Sequence, residues 1–72
     1  MLTRSRAAQL ERVRSLLPDG FTVRDNEETR FYSYTVGKDG LFACVQVCDA
    51  SELEDELKRV CNYLLECLAV GM

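Results

Sequence analysis

Residues 3–17 place Leu10, Val13, Leu16 and Leu17 three and four positions apart, with Ala7 and Ala8 ahead of them. Those offsets gather apolar side chains on one face of a helix. Thr3 or Ser5 is available to cap it. Pro18 disfavours helical geometry in Leu17, and Gly20 follows, so the helix is expected to end at Leu17. Pro18-Asp19-Gly20 then reads as a turn.

Phe21–Asp25 alternates apolar and polar residues, as a short strand does. Asn26-Glu27-Glu28 is a polar turn. Residues 29–36 (TRFYSYTV) are aromatic and β-branched and predict a second strand. Gly37-Lys38-Asp39-Gly40 predicts a hairpin turn, and residues 41–48 (LFACVQVC) a third strand. That strand is apolar on both parities: Leu41, Ala43, Val45 and Val47 on one, Phe42, Cys44 and Cys48 on the other. Such a strand is expected to be central or covered on both faces.

Asp49 with Glu52, and Ser51 with Glu54, have the spacing of a capping box. Glu52, Glu54, Asp55 and Glu56 put negative charge at the positive end of a helix dipole. A second helix is predicted over 52–69, with Leu53, Leu57, Val60, Leu64 and Cys67 or Leu68 as its stripe and Gly71 as its stop. The order is α-β-β-β-α. Short turns make the strands an antiparallel meander, and two amphipathic helices need one sheet face to cover their stripes. The expected fold is therefore two-layer α+β, both helices on one face, in a single domain over residues 1–72 with a small core.

The second helix is too apolar for one contact. From Val60 to Val70 only Asn62 and Glu66 are polar, and Cys61, Leu65 and Leu68 form a second stripe. Either the first helix packs on that stripe within the monomer, or the stripe is a homodimer seam or a partner surface. The second strand leaves a similar choice. Arg30, Tyr32, Tyr34 and Val36 share one face, Phe31, Ser33 and Thr35 the other. If Phe31 points inward, two tyrosines and an arginine face outward, residue types that anchor interfaces. Otherwise the tyrosines are themselves the core side.

Composition narrows the chemistry. The chain has 9 Lys+Arg, 12 Asp+Glu and no His, for a net charge of −3. Without His there is no Ser-His or Cys-His pair and no imidazole ligand. No apolar run approaches the ~18 residues of a membrane span. The first residues lack the apolar core of a secretory signal, so a cytoplasmic chain is expected, with Cys44, Cys48, Cys61 and Cys67 as reduced, buried thiols. Zinc is disfavoured by spacing. Cys44 and Cys48 on a strand lie roughly 13 Å apart, and Cys61 and Cys67 are about 120° out of register on a helix. No metal, cofactor or enzymatic activity is expected. The carboxylates have ready roles in solubility and capping, and no glycine-rich phosphate loop is present.

The element order and length resemble the double-stranded-RNA-binding domain. That resemblance implies a basic cluster opening the second helix and a histidine in the hairpin turn. Here Glu52-Leu53-Glu54-Asp55-Glu56 stands at the first place, and the chain has no histidine. Charge is uneven: residues 1–24 hold Arg4, Arg6, Arg12, Arg14 and Arg24 against Glu11 and Asp19, a balance of +3, while residues 25–72 carry −6. The arginines would suit phosphate, and the acidic side (with Glu27 and Glu28) a basic protein surface. The favoured expectation is a small acidic protein-binding domain, an inhibitor or adaptor of a larger protein, for which a nucleic-acid-handling protein is one candidate. Phage-encoded inhibitors of host defence, including anti-CRISPR proteins, are similar in size and charge. The alternatives are a nucleic-acid-binding module using the first helix and a structural homodimer or assembly subunit. The expected interface residues are Arg30, Tyr32 and Tyr34 on the sheet, Glu52, Asp55 and Glu56 at the start of the second helix, and Cys61, Leu65 and Leu68 further along it.

Overall fold

The computed structural model describes residues 4–71. Thr3, a candidate cap, lies outside them, as do the side chains of Arg4 and Ser5. Helix α1 spans Arg4–Leu16, β1 Thr22–Asp25, β2 Tyr32–Lys38, β3 Leu41–Val47 and α2 Leu53–Val70, with a 3-10 turn at Ala50–Glu52 leading into α2. The three strands form one antiparallel sheet in the order β1-β2-β3. The architecture is two-layer α+β in the expected order α-β-β-β-α.

Both helices lie on one face of the sheet. The core gathers Val13 of α1, Tyr34 and Val36 of β2, Val45 and Val47 of β3, and Leu53, Leu57, Val60 and Leu64 of α2. Tyr34 opposes Val45, and Val36 opposes Val23 and Ala43. At about 25 cal/mol per Å² of apolar area, these α2 leucines and strand valines are the main stabilising contacts of so small a chain.

Two expectations are corrected here. β3 is neither central nor covered twice. It ends the sheet, and its second parity is open, with Phe42 70% exposed and Cys44 exposed. Two helices cover one side and leave none for the other. The four cysteines are likewise not all buried: Cys61 is buried and Cys67 half-buried, but Cys44 and Cys48 are exposed.

The hairpin turn is also two residues shorter than expected, because β2 runs on through Gly37 and Lys38. Lys38 pairs with Leu41, so the turn is Asp39-Gly40 alone, with φ of 50° and 86°. Positive φ at both central positions is the tight turn that an Asp-Gly pair favours. Gly37 therefore lies inside β2, paired with Thr22 and Phe42. At the other end, residues 29–31 leave the strand and join the 26–31 connection. There the Glu28 carboxylate accepts the backbone N–H groups of Thr29 and Arg30 at 3.0 and 3.2 Å, bonds that compete with strand pairing.

Capping at α2 is simpler than two boxes. Asp49 accepts the Ser51 N–H at 3.1 Å and starts the 3-10 turn, while Glu52 makes no side-chain cap.

Candidate functional site

The first concavity is at the end of the sheet beside α1, about 440 Å³ and bordered by Arg6, Asp25, Arg30, Phe31, Tyr32 and Tyr34. Alternation along β2 turns Tyr32 and Tyr34 to the helix side. Tyr34 is only 3% exposed, so it is a core residue and not an outward anchor. Burial, with Asp25 nearby, raises its hydroxyl pKa. Tyr32 is half-buried at the rim. Arg6 reaches from α1 to the Asp25 carboxylate at 2.8 Å and donates to the Glu28 carbonyl. Asp25 also accepts the Glu27 N–H at 2.7 Å, holding Glu27 at a φ of 61°. Arg30 stands outside the strand, exposed, and its Nε meets Glu28 at 3.0 Å. This side-chain bond, with the two backbone N–H groups, lowers the Glu28 pKa to about 2. The sequence thus named three residues of one neighbourhood, of which Arg30 and part of Tyr32 are accessible.

The second concavity, about 580 Å³, lies where β3 leaves the sheet and α2 begins. It brings together Glu52, Asp55 and Glu56 with Gln46, Cys48 and Ser51. Glu52 and Asp55 are exposed, while Glu56 is half-buried and bridged by Arg59 through two bonds of 2.8 Å. That pairing lowers the Glu56 pKa. Consecutive turns of one helix account for the three carboxylates. Their closeness to Gln46 and Cys48 comes from the fold.

The third, about 280 Å³, is a groove between the end of α1 and the middle of α2, lined by Leu16, Pro18, Leu57, Cys61 and Leu65. The second stripe is therefore divided. Cys61 is buried, and its burial raises the thiol pKa. Leu68 is half-buried, and Leu65 is 43% exposed. Leu16 at the end of α1 and Pro18 in the turn after it reach the stripe, so part of it is satisfied within the chain.

Two surfaces were not anticipated. On the open sheet face the Phe42 ring lies over Gly37, and Asn26 links its neighbours, donating to Ser33 Oγ at 3.0 Å and accepting from Thr35 at 2.9 Å. Along the outer side of α2, Arg59, Asn62, Tyr63 and Glu66 face Ala43 and Cys44 of β3 across about 500 Å³. The apolar second parity of β3 was a signal for Phe42. Tyr63 belongs to neither stripe, and its spacing carried no signal.

Among the described residues no helix is long and apolar enough to cross a membrane, and no group of three or more Cys, Asp or Glu is arranged to hold a metal ion. No protein-family model, curated protein or solved structure matches the chain.

Proposed function

We propose that this chain is a small, non-catalytic protein-binding domain of the cytoplasm, an inhibitor or adaptor that docks its acidic groove on a basic surface of a larger protein. The observation that carries this reading is the convergence of Glu52, Asp55 and Glu56 on one concavity. Negative charge at a helix start is stabilised by the helix dipole, so the groove keeps its charge at no cost to the fold. Opposed fields raise the rate of encounter and fix orientation. A surface that binds nucleic-acid phosphates is a partner of the right sign. Phage-encoded inhibitors of host defence, anti-CRISPR proteins among them, are similar to this chain in size and charge, a likeness of composition.

The chemistry of the carboxylates agrees with binding. Arg30 holds Glu28, and Arg59 holds Glu56, in the ionised form, which suits neither to proton transfer near neutral pH. Direct phosphate contact through α1 is the weaker alternative. Arg6 turns inward to Asp25, and Arg14 pairs with Glu11 at 3.0 Å.

The test is capture from a nuclease-treated lysate of the source or host, with the wild type beside a Glu52→Lys/Asp55→Lys/Glu56→Lys variant. The expected result is one stoichiometric partner, held by the wild type, lost by the variant and released by salt as screening shortens to about 3 Å at 1 M. A partner retained equally by the variant removes the acidic groove from the proposal. Micromolar binding of DNA or RNA by the purified chain, with a steep salt slope, replaces it with the nucleic-acid reading.

A further inference from the structure

The two edges of the sheet are built differently. β1 is four residues long, carries Arg24 and Asp25, and has α1 against it. β3 is seven residues long, reads LFACVQV, and contains neither charge nor proline. It ends the sheet on its other side. An edge strand presents backbone N–H and C=O groups with no sheet partner, and proteins blunt an unused edge with shortness, Lys, Pro or a bulge. β1 has the first of these devices. β3 has no short length, Lys or Pro, and its register with β2 runs without interruption from Leu41 to Val47.

The helix beside that edge carries an ordered pattern. Arg59, Asn62, Tyr63 and Glu66 share the side of α2 that faces Ala43 and Cys44. Positions seven apart return to the same helix face, so a positive and a negative group bracket a neutral centre where Tyr63 is 58% exposed. The centre of the 59–66 segment falls between Asn62 and Tyr63, and the centre of β3 is Cys44. The structure places these two midpoints side by side.

One two-fold axis through that place satisfies both elements. It lays β3 antiparallel against the β3 of another copy, with Leu41 opposite Val47, Ala43 opposite Val45 and Cys44 opposite Cys44. It also sets Arg59 of each chain opposite Glu66 of the other, twice. A two-fold interface must be complementary to itself in this way. A foreign strand added to the same edge would receive no such return. We propose that the protein self-associates edge to edge through β3, giving a continuous six-stranded sheet with the two α2 helices antiparallel on one face. The occupant of the edge is a second copy of this chain. Arg59 already holds Glu56 at 2.8 Å, and its five donors allow it to take the second carboxylate. The seam runs along the 59, 63 and 66 side of α2 and not along Cys61, Leu65 and Leu68.

Sedimentation equilibrium of the full chain under reducing conditions tests this, with circular dichroism to confirm that each variant folds. The wild type is expected at twice its 8.2 kDa mass. Arg59→Glu and Glu66→Arg are each expected to raise the dimer dissociation constant roughly tenfold, since two exposed ion pairs change sign together. Arg59→Glu/Glu66→Arg is expected to return it close to wild type, because the pairs reform with signs exchanged. A chain that stays monomeric up to about millimolar concentration, where association would be weaker than ~4 kcal/mol, overturns the proposal. So does a dimer indifferent to both reversals, or one that the exchange fails to restore. If a variant does not fold, the wild type decides alone. Mild oxidation with copper phenanthroline, which takes two electrons as two thiols lose their protons and join, is expected to link Cys44 to Cys44. A linked dimer in which Cys44 remains free overturns the register.

Discussion

A Cβ added to Gly37 would sit 2.6 Å from Cε1 and 2.7 Å from Cδ1 of Phe42, and 3.0 Å from Thr22 Oγ1. The glycine is there so that an aromatic ring from β3 can lie flat across β2. Gly37→Ala is expected to cost about 1 kcal/mol, at the low end for overpacking because the exposed ring can swing away. In a Phe42→Ala background the same change is expected to become neutral or stabilising, since alanine is better than glycine in a strand interior by roughly 0.5–1 kcal/mol. Urea denaturation of the four proteins in this cycle measures the difference. An equal cost in both backgrounds would mean that the ring does not set the identity of residue 37. The position also explains why Gly37 reads in the sequence as part of the turn while the structure has it inside β2. Glycine in a sequence marks either a turn or a close approach, and only the ring over Gly37 distinguishes the two.

α2 was legible from periodicity because Leu53, Leu57, Val60 and Leu64 form one apolar stripe, and β3 from its apolar run, of which Val45 and Val47 are the buried parity. Parity was not. Tyr32, Tyr34 and Val36 share one face of β2 whatever its first residue, and only the packing of Tyr34 and Val36 against the helices shows that this face is the inner one. Glu28 captures the N–H groups of Thr29 and Arg30, so β2 starts at Tyr32 and Phe31 stays outside it. On α2 burial divides the second stripe, with Cys61 buried and Leu65 exposed, which its spacing could not show. Leu57 is 2% exposed and Leu65 is 43% exposed. Leu57→Ala is expected to destabilise by about 2–5 kcal/mol, and a fold this small will be largely lost near 37 °C. Leu65→Glu is expected to remain folded, with a loss of about 1 kcal/mol or less. Thermal denaturation followed by circular dichroism checks both. A collapse of Leu65→Glu comparable to Leu57→Ala would put the second stripe wholly in the core.

As a whole the molecule measures 40 × 18 × 18 Å, with one sheet face covered and one bare. The acidic groove and the Arg59–Glu66 row both depend on α2 lying beside β3, a relation that no linear spacing contains. The charges themselves were visible in the sequence, but their neighbours were not. The support given to the two helices is also unequal. α2 lies chiefly along β3 and also meets β2, whereas α1 rests about equally on β1 and α2 and makes no contact as extensive as that of α2 with β3. Of the apolar residues of α1, Val13 is fully buried and Leu10 only partly. Arg6 ties its start to Asp25, whose side chain is 6% exposed. Two tiers of amide deuterium exchange follow. The amides of β2 and of Leu57–Leu64 should wait for global unfolding, while those of α1 should exchange through a partial opening that leaves the hairpin and α2 intact. Asp25→Asn should speed the α1 amides ahead of all others. The chain would then unfold in two cooperative pieces, a hairpin-and-helix kernel and an N-terminal helix that detaches first.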